Sequence, residues 1–156
     1  MKRKEALKIA NELIREIKGY CNRIELVGSI RREKEEVKDI DIVAISRNLN
    51  TKITLMKMRG DIKIDKYGEK IIRFFYKDVQ VDIYLANRKT FETIRLIRTG
   101  STEHNKKLCM IALSKGWKLK ANGEGLLDEN ERLITNTEKG ILEKLLGKYI
   151  EPKNRD

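Results

Sequence analysis

One proline and two cysteines in 156 residues leave little room for several kinds of protein. Pro152 lies in the polar stretch Glu151-Pro-Lys-Asn-Arg155, so no proline interrupts an element further in. Cys21 and Cys109 stand far apart, with neither C-x-x-C spacing nor a histidine cluster, which argues against a zinc site and against a disulfide framework and suits a reducing interior. The only histidine, His104, is expected on a helix surface or facing a ligand rather than acting as a general acid. No apolar run is long enough to span a bilayer, and the segment MKRKEALKIANELIREIKGY begins basic but turns amphipathic, unlike a secretion signal. The expectation is a soluble, intracellular, cytoplasmic monomer with no membrane partner. Internal repeats and low-complexity tracts are absent too.

Charge is abundant. Charged residues make up 38% of the chain against 40% hydrophobic, enough to bury a small core under a heavily charged surface. Lys and Arg number 35 and Asp and Glu 24, a formal +11 scattered along the chain rather than gathered in a tail. On a small globular protein such an excess favours a polyanion, and phosphate backbones are the commonest one.

The patterning predicts a mixed α+β chain. Ala6, Leu7, Ala10, Leu13, Ile14 and Ile17 recur at helical spacing, with Gly19 as a stop. Arg23–Val27 reads as a strand entering a Gly28-Ser29 turn, with Ser29 capping a helix that begins Ile-Arg-Arg-Glu. A strand over 40–45, a helix near 52–58 and strands within 61–65, 70–76 and 79–85 complete a first lobe. Beyond Asn87, helices over 90–98, 102–115 and 138–146 enclose short strands near 117–119, 125–127 and 132–134, a second and smaller lobe.

Side chains two apart on a strand share a face, so Asp39 and Asp41 bring two carboxylates together around Ile40. In a stretch otherwise built of Val37, Ile40, Ile42 and Val43, that pairing is unfavourable unless a cation sits between the acids; an edge strand with outward acids is the competing reading. Oxygen ligands suit Mg²⁺, which asks for a further acid, and Asp82 supplies one by interrupting the apolar alternation of Val79–Tyr84. A Gly-Ser turn opening a helix offers backbone N–H groups, a hydroxyl and a positive helix end, a cradle for phosphate to which Arg31 or Arg32 adds a fork. Taken alone, such a turn is more often a simple cap.

Gly28-Ser29-Ile-Arg-Arg32, Asp39-Ile-Asp41 and Asp82 together resemble the nucleotidyltransferase signature of family X DNA polymerases. Arg98-Thr-Gly-Ser101-Thr-Glu-His-Asn105-Lys-Lys is similar to that family's thumb motif, and Gly116-Trp-Lys-Leu, Gly125-Leu, Thr137-Glu-Lys and Tyr149-Ile-Glu-Pro-Lys-Asn-Arg155 follow in the family's order. The resemblance implies a palm over residues 1–87, a mixed sheet with helices on one side, and a small α+β thumb over 88–156 that binds nucleotide and DNA. It implies DNA-directed DNA synthesis by two-metal transfer of a nucleotidyl group from dNTP to a primer 3′-OH, in short-gap repair. Asp39 and Asp41 would bind both Mg²⁺ ions and Asp82 the one beside the 3′-OH, with Mn²⁺ able to substitute. Gly28, Ser29 and Arg32 would hold the triphosphate, Thr99 and Gly100 the nucleotide sugar, and Asn105 the base edge. Lys106 would lie near the templating base, and Arg98, Lys107, Lys118 and Lys120, with Arg95, would contact DNA phosphates.

The chain departs from the family's pattern where Ile97-Arg98 replaces an aromatic pair that bars ribonucleotides, where Cys109 replaces an arginine, and where Gln80 stands at a position held by Arg in some members. Template-independent or ribonucleotide-adding transfer, and a non-catalytic DNA-binding relative, are the alternatives. N-terminal to the palm signature there is space for one helix, without a lyase domain or helix-hairpin-helix segments, so DNA would be held by palm, thumb and net charge alone.

Overall fold

A computed structural model describes all 156 residues. Five strands form a mixed sheet in the order β1-β2-β5-β4-β3: β1 (Cys21–Val27), β2 (Ile40–Ser46), β3 (Ile62–Tyr67), β4 (Ile71–Tyr76) and β5 (Val79–Leu85). Only β2 and β5 run parallel; every other neighbouring pair is antiparallel. Alternation decides what each face carries. Ile40, Ile42 and Ala44 of β2, Val81 and Ile83 of β5, and Ile72 and Phe74 of β4 all point to one side and are buried. They pack there against Ala6, Ala10, Leu13 and Ile17 of helix α1 (Arg3–Ile17) and Leu49, Ile53 and Met56 of helix α3 (Leu49–Met58). Helix α3 starts three residues earlier than the apolar spacing indicates because the Ser46 hydroxyl accepts the Leu49 N–H at 3.1 Å, a side-chain bond that periodicity does not reveal.

The opposite face stays open except at β1 and β2. There Phe91, at the start of helix α4 (Phe91–Thr99), packs on Val27 and Val43. Helix α4 continues into the second lobe, where Leu96 joins Leu108 and Ala112 of α5 (Thr102–Ser114), Ile141, Leu142 and Leu145 of α6 (Glu138–Leu146) and Leu119 and Leu126 of a three-stranded sheet. That sheet consists of β6 (Lys118–Lys120), β7 (Gly125–Leu127) and β8 (Leu133–Thr135), antiparallel throughout. Ser101 and Thr137 cap α5 and α6 by accepting the N–H of His104 at 3.2 Å and of Gly140 at 3.0 Å.

The capping role expected for Ser29 does not hold. Helix α2 spans Gly28–Arg31, so Ser29 lies within its single turn, and its hydroxyl makes no capping bond. Glycine opens the helix itself, and the chain leaves it through Glu33 at a φ of 59°.

Candidate active site

The open face of the large sheet carries the acids in one row. Register pairs Val27 with Asp41, Asp41 with Asp82 and Asp82 with Arg73, so three strands bring two carboxylates and a guanidinium side by side. Asp39 sits in the bend just before β2 rather than on the strand, because β2 begins at Ile40. Its charge still acts on Asp41.

Gly28 determines how close the Gly28-Ser29 turn comes to that row. Its φ is +65°, a backbone region costly to residues with a Cβ, and a Cβ built there would collide with Asp41 Oδ2. The turn and the carboxylate are therefore in contact only because residue 28 has no side chain. Burial first, and then the charges of Asp82 and Asp39, push the Asp41 carboxyl up to about 6, with Arg98 and Arg32 working in the other direction. Asp41 takes no part in the molecule's ion pairs, so its own charge has no bonded counter-ion, unlike that of Asp82, which Arg73 pairs. Such a carboxylate beside a side-chain-free cradle fits a hard divalent cation. Asp82 is oriented differently. It is 4% exposed, and Arg73 grips both of its oxygens, Nε to Oδ1 at 2.7 Å and Nη2 to Oδ2 at 3.2 Å. No three acidic, histidine or cysteine side chains converge tightly enough to hold one ion by themselves.

Gln80 and Tyr84 flank Asp82 on the same face, each with a polar atom 3.5 Å from its carboxylate. Arg98, exposed near the end of α4, stacks on the Tyr84 ring with its guanidinium carbon 4.2 Å from the centroid. Desolvation and the nearby acids Asp41 and Asp82 push the Tyr84 phenol up to about 12.

Across the cleft, the Thr99-Gly100 turn is tied back to helix α2. Arg32 donates Nη1 to the Thr99 carbonyl at 2.7 Å, and a Cβ on Gly100, whose φ is +71°, would lie 3.1 Å from the same nitrogen. Arg31 donates to the Thr99 hydroxyl at 2.8 Å and forks onto Glu138 at 2.7 and 2.8 Å. Glu138, 2% exposed, also accepts Nη1 of the fully buried Arg155 at 2.9 Å and lies 3.5 Å from Arg95 Nε. Burial by itself would raise the Glu138 carboxyl, but the bonds and charges of Arg31 and Arg155 outweigh it and hold the group below the ordinary range. Asn105 donates its amide to the Ile97 carbonyl at 2.8 Å, and its Oδ1 is buried without a partner.

Residues 94–156 match the family model described as DNA polymerase beta thumb. The DNA polymerase/3′-5′ exonuclease PolX of Bacillus subtilis is 28% identical over 132 residues, 81% of this chain. By these matches the chain is similar to the family X DNA polymerases. It spans 23% of the length of that Bacillus protein. In fold it superposes on a crystal structure of Leishmania infantum polymerase beta in a ternary P/T complex, with a TM-score of 0.81 over 100% of this chain and 76% of that one, at 21% identity.

Two side chains lie elsewhere than their sequence positions indicate. His104 is buried at 5% exposure with neither ring nitrogen bonded, because α5 turns that face into the second lobe; burial, then the charges of Arg155 and Lys107, push it down to about 4. Arg95 is held by Glu25 at 2.7 Å and Glu92 at 3.4 Å and is not free for phosphate. Lys106, Lys107, Lys118 and Arg98 are exposed, Lys120 is half-buried, and Ser29 and Arg32 are half-buried on the cleft side. Glu138 and Arg73 went unseen in the sequence. An acid in the first turn of a helix and an arginine within a strand are ordinary there; only the partner identifies each.

Proposed function

We propose that this chain is a DNA-directed DNA polymerase of the family X type, transferring a nucleotidyl group from dNTP to the 3′-OH of a primer and filling short gaps in repair. Residues 1–87 form the palm in this reading and residues 88–156 the thumb. The observation that carries it is the register row joining Asp41 to Asp82, with Asp39 acting on Asp41, beside a Gly28 turn that admits no side chain. Two Mg²⁺ ions, when bound, would polarise the 3′-OH and neutralise the triphosphate and departing pyrophosphate. Asp39, Asp41 and Asp82 would hold them. Gly28 and Ser29 present backbone and hydroxyl donors to the phosphates, and Arg32 adds positive charge while its bond to the Thr99 carbonyl fixes the thumb turn against the palm. Thr99 and Gly100 line the sugar's place in this reading, and Asn105 takes the base edge, which requires its buried, unpartnered Oδ1 to be uncovered. Exposed Lys106, Lys107, Lys118 and Arg98, with half-buried Lys120, supply phosphate contacts to DNA.

The test is primer extension on a duplex with a one-nucleotide gap, with dNTP and Mg²⁺. Asp39→Asn with Asp41→Asn should abolish extension while leaving DNA binding intact or tighter. Extension that survives the double substitution places the chemistry elsewhere. A second reading, ribonucleotide addition, is favoured by Ile97 and Arg98, which stand where the resembled family carries an aromatic pair that bars ribonucleotides. Offering rNTP and dNTP side by side, with and without template, separates the two.

A further inference from the structure

Asp39, Asp41 and Asp82 do not stand in equivalent states. The charge on Asp41 is opposed only at a distance, by Arg98 and Arg32. Asp82 is engaged by a two-point fork from the strand next door, directly opposite it in register. A carboxylate 4% exposed cannot stay ionised cheaply without such a partner. Arg73 is one-third exposed on its solvent side, so it can leave Asp82 for water without disturbing the core.

We propose that Arg73 is a placeholder for the cation at Asp82, a positioning residue that holds this carboxylate on the open face and competes with metal for its oxygens. The proposal rests on the polymerase reading of the same site. Both oxygens are occupied by the guanidinium, so an ion loading at Asp82 displaces or shares the fork, whereas loading at Asp39 and Asp41 breaks no bond. The site therefore fills in two stages, and Arg73 weakens only the second. Gln80, on the same strand as Asp82, reaches it at 3.5 Å and offers no charge, which leaves Arg73 as the counter-ion in direct contact.

Mn²⁺ alone, titrated into the full chain and followed by electron paramagnetic resonance, tests this without turnover. Asp82→Asn identifies the Mn²⁺ bound through residue 82. In Arg73→Ala that Mn²⁺ should bind roughly tenfold more tightly, the scale of a charge-assisted bond no longer in competition. Arg73→Lys, which keeps the charge but not the fork, should fall between the two. Lys66→Ala removes an exposed charge from the residue paired with Arg73 across β3 and β4, and should change nothing. Equal tightening in Lys66→Ala, or an unchanged Asp82-dependent affinity in Arg73→Ala, overturns the placeholder while leaving an Asp41-dependent metal site intact. Loss of all Mn²⁺ binding that depends on Asp41, in wild type and Arg73→Ala alike, removes the polymerase reading as well.

Discussion

A single absent methyl group decides whether the Gly28-Ser29 turn and the Asp41 carboxylate can touch. Gly28→Ala would place a Cβ against Asp41 Oδ2 and force φ +65° on a residue that resists it, at roughly 1–2 kcal/mol for the backbone. The fold should survive, as judged by circular dichroism, and Mg²⁺-dependent extension should drop by roughly a hundredfold, the scale of an ångström-sized misplacement. Undiminished extension by the alanine variant contradicts the contact. His104 carries a different prediction. Its pKa lies near 4 in the folded chain against 6.5 in the unfolded one, so the folded state binds fewer protons between those values. The neutral form contributes stability above pH 6.5 that is lost as pH falls from 6.5 towards 4. His104→Phe removes the group that must charge, and should gain roughly 1–2 kcal/mol over wild type when urea unfolding is moved from pH 7 to pH 5. Parallel acid loss in both proteins refutes it.

Among elements, α2, α4 and α6 meet through one carboxylate. Glu138 at the start of α6 takes the fork of Arg31 from α2, and Arg31 also bonds Thr99 at the end of α4. Arg155 approaches the same carboxylate from the C-terminal stretch, and its carbonyl accepts the Ser101 N–H at 2.9 Å, just ahead of α5. Removing one partner leaves buried charge uncompensated, so Glu138→Ala should cost about 3–5 kcal/mol in denaturant unfolding, and Glu138→Gln clearly less because its amide oxygen still accepts. A loss below about 1 kcal/mol would mean that the clasp contributes nothing. The strands and helices themselves were largely legible from spacing: β5, β7 and α6 run over the residues that periodicity indicates. The misplaced ends are informative. α3 begins early at a serine bond and Ser29 fails to cap because the helix starts at glycine; both are side-chain choices that apolar periodicity does not record.

For the whole molecule, net charge sets the expectation. At +11 and with so small a surface, DNA affinity should be dominated by counter-ion release and fall by roughly a hundredfold or more between about 50 and 200 mM salt, measured by fluorescence anisotropy on a gapped duplex. Affinity flat across that range excludes a backbone-dominated grip. The α+β class follows from the sequence because it rests on local alternation and helical spacing, which short stretches of chain carry by themselves. Asp39 and Asp41 stand two residues apart, but Asp39 lies in the bend before β2, so strand alternation does not by itself place it beside Asp41. What the tertiary structure alone decided is everything that needs two distant strands or helices at once. Register set Asp82 between Asp41 and Arg73, and packing buried His104 and closed Glu138 onto three arginines. A charge's partner across a sheet depends on which strands become neighbours, and that is settled by burial of the opposite face, not by the residues beside it in the chain.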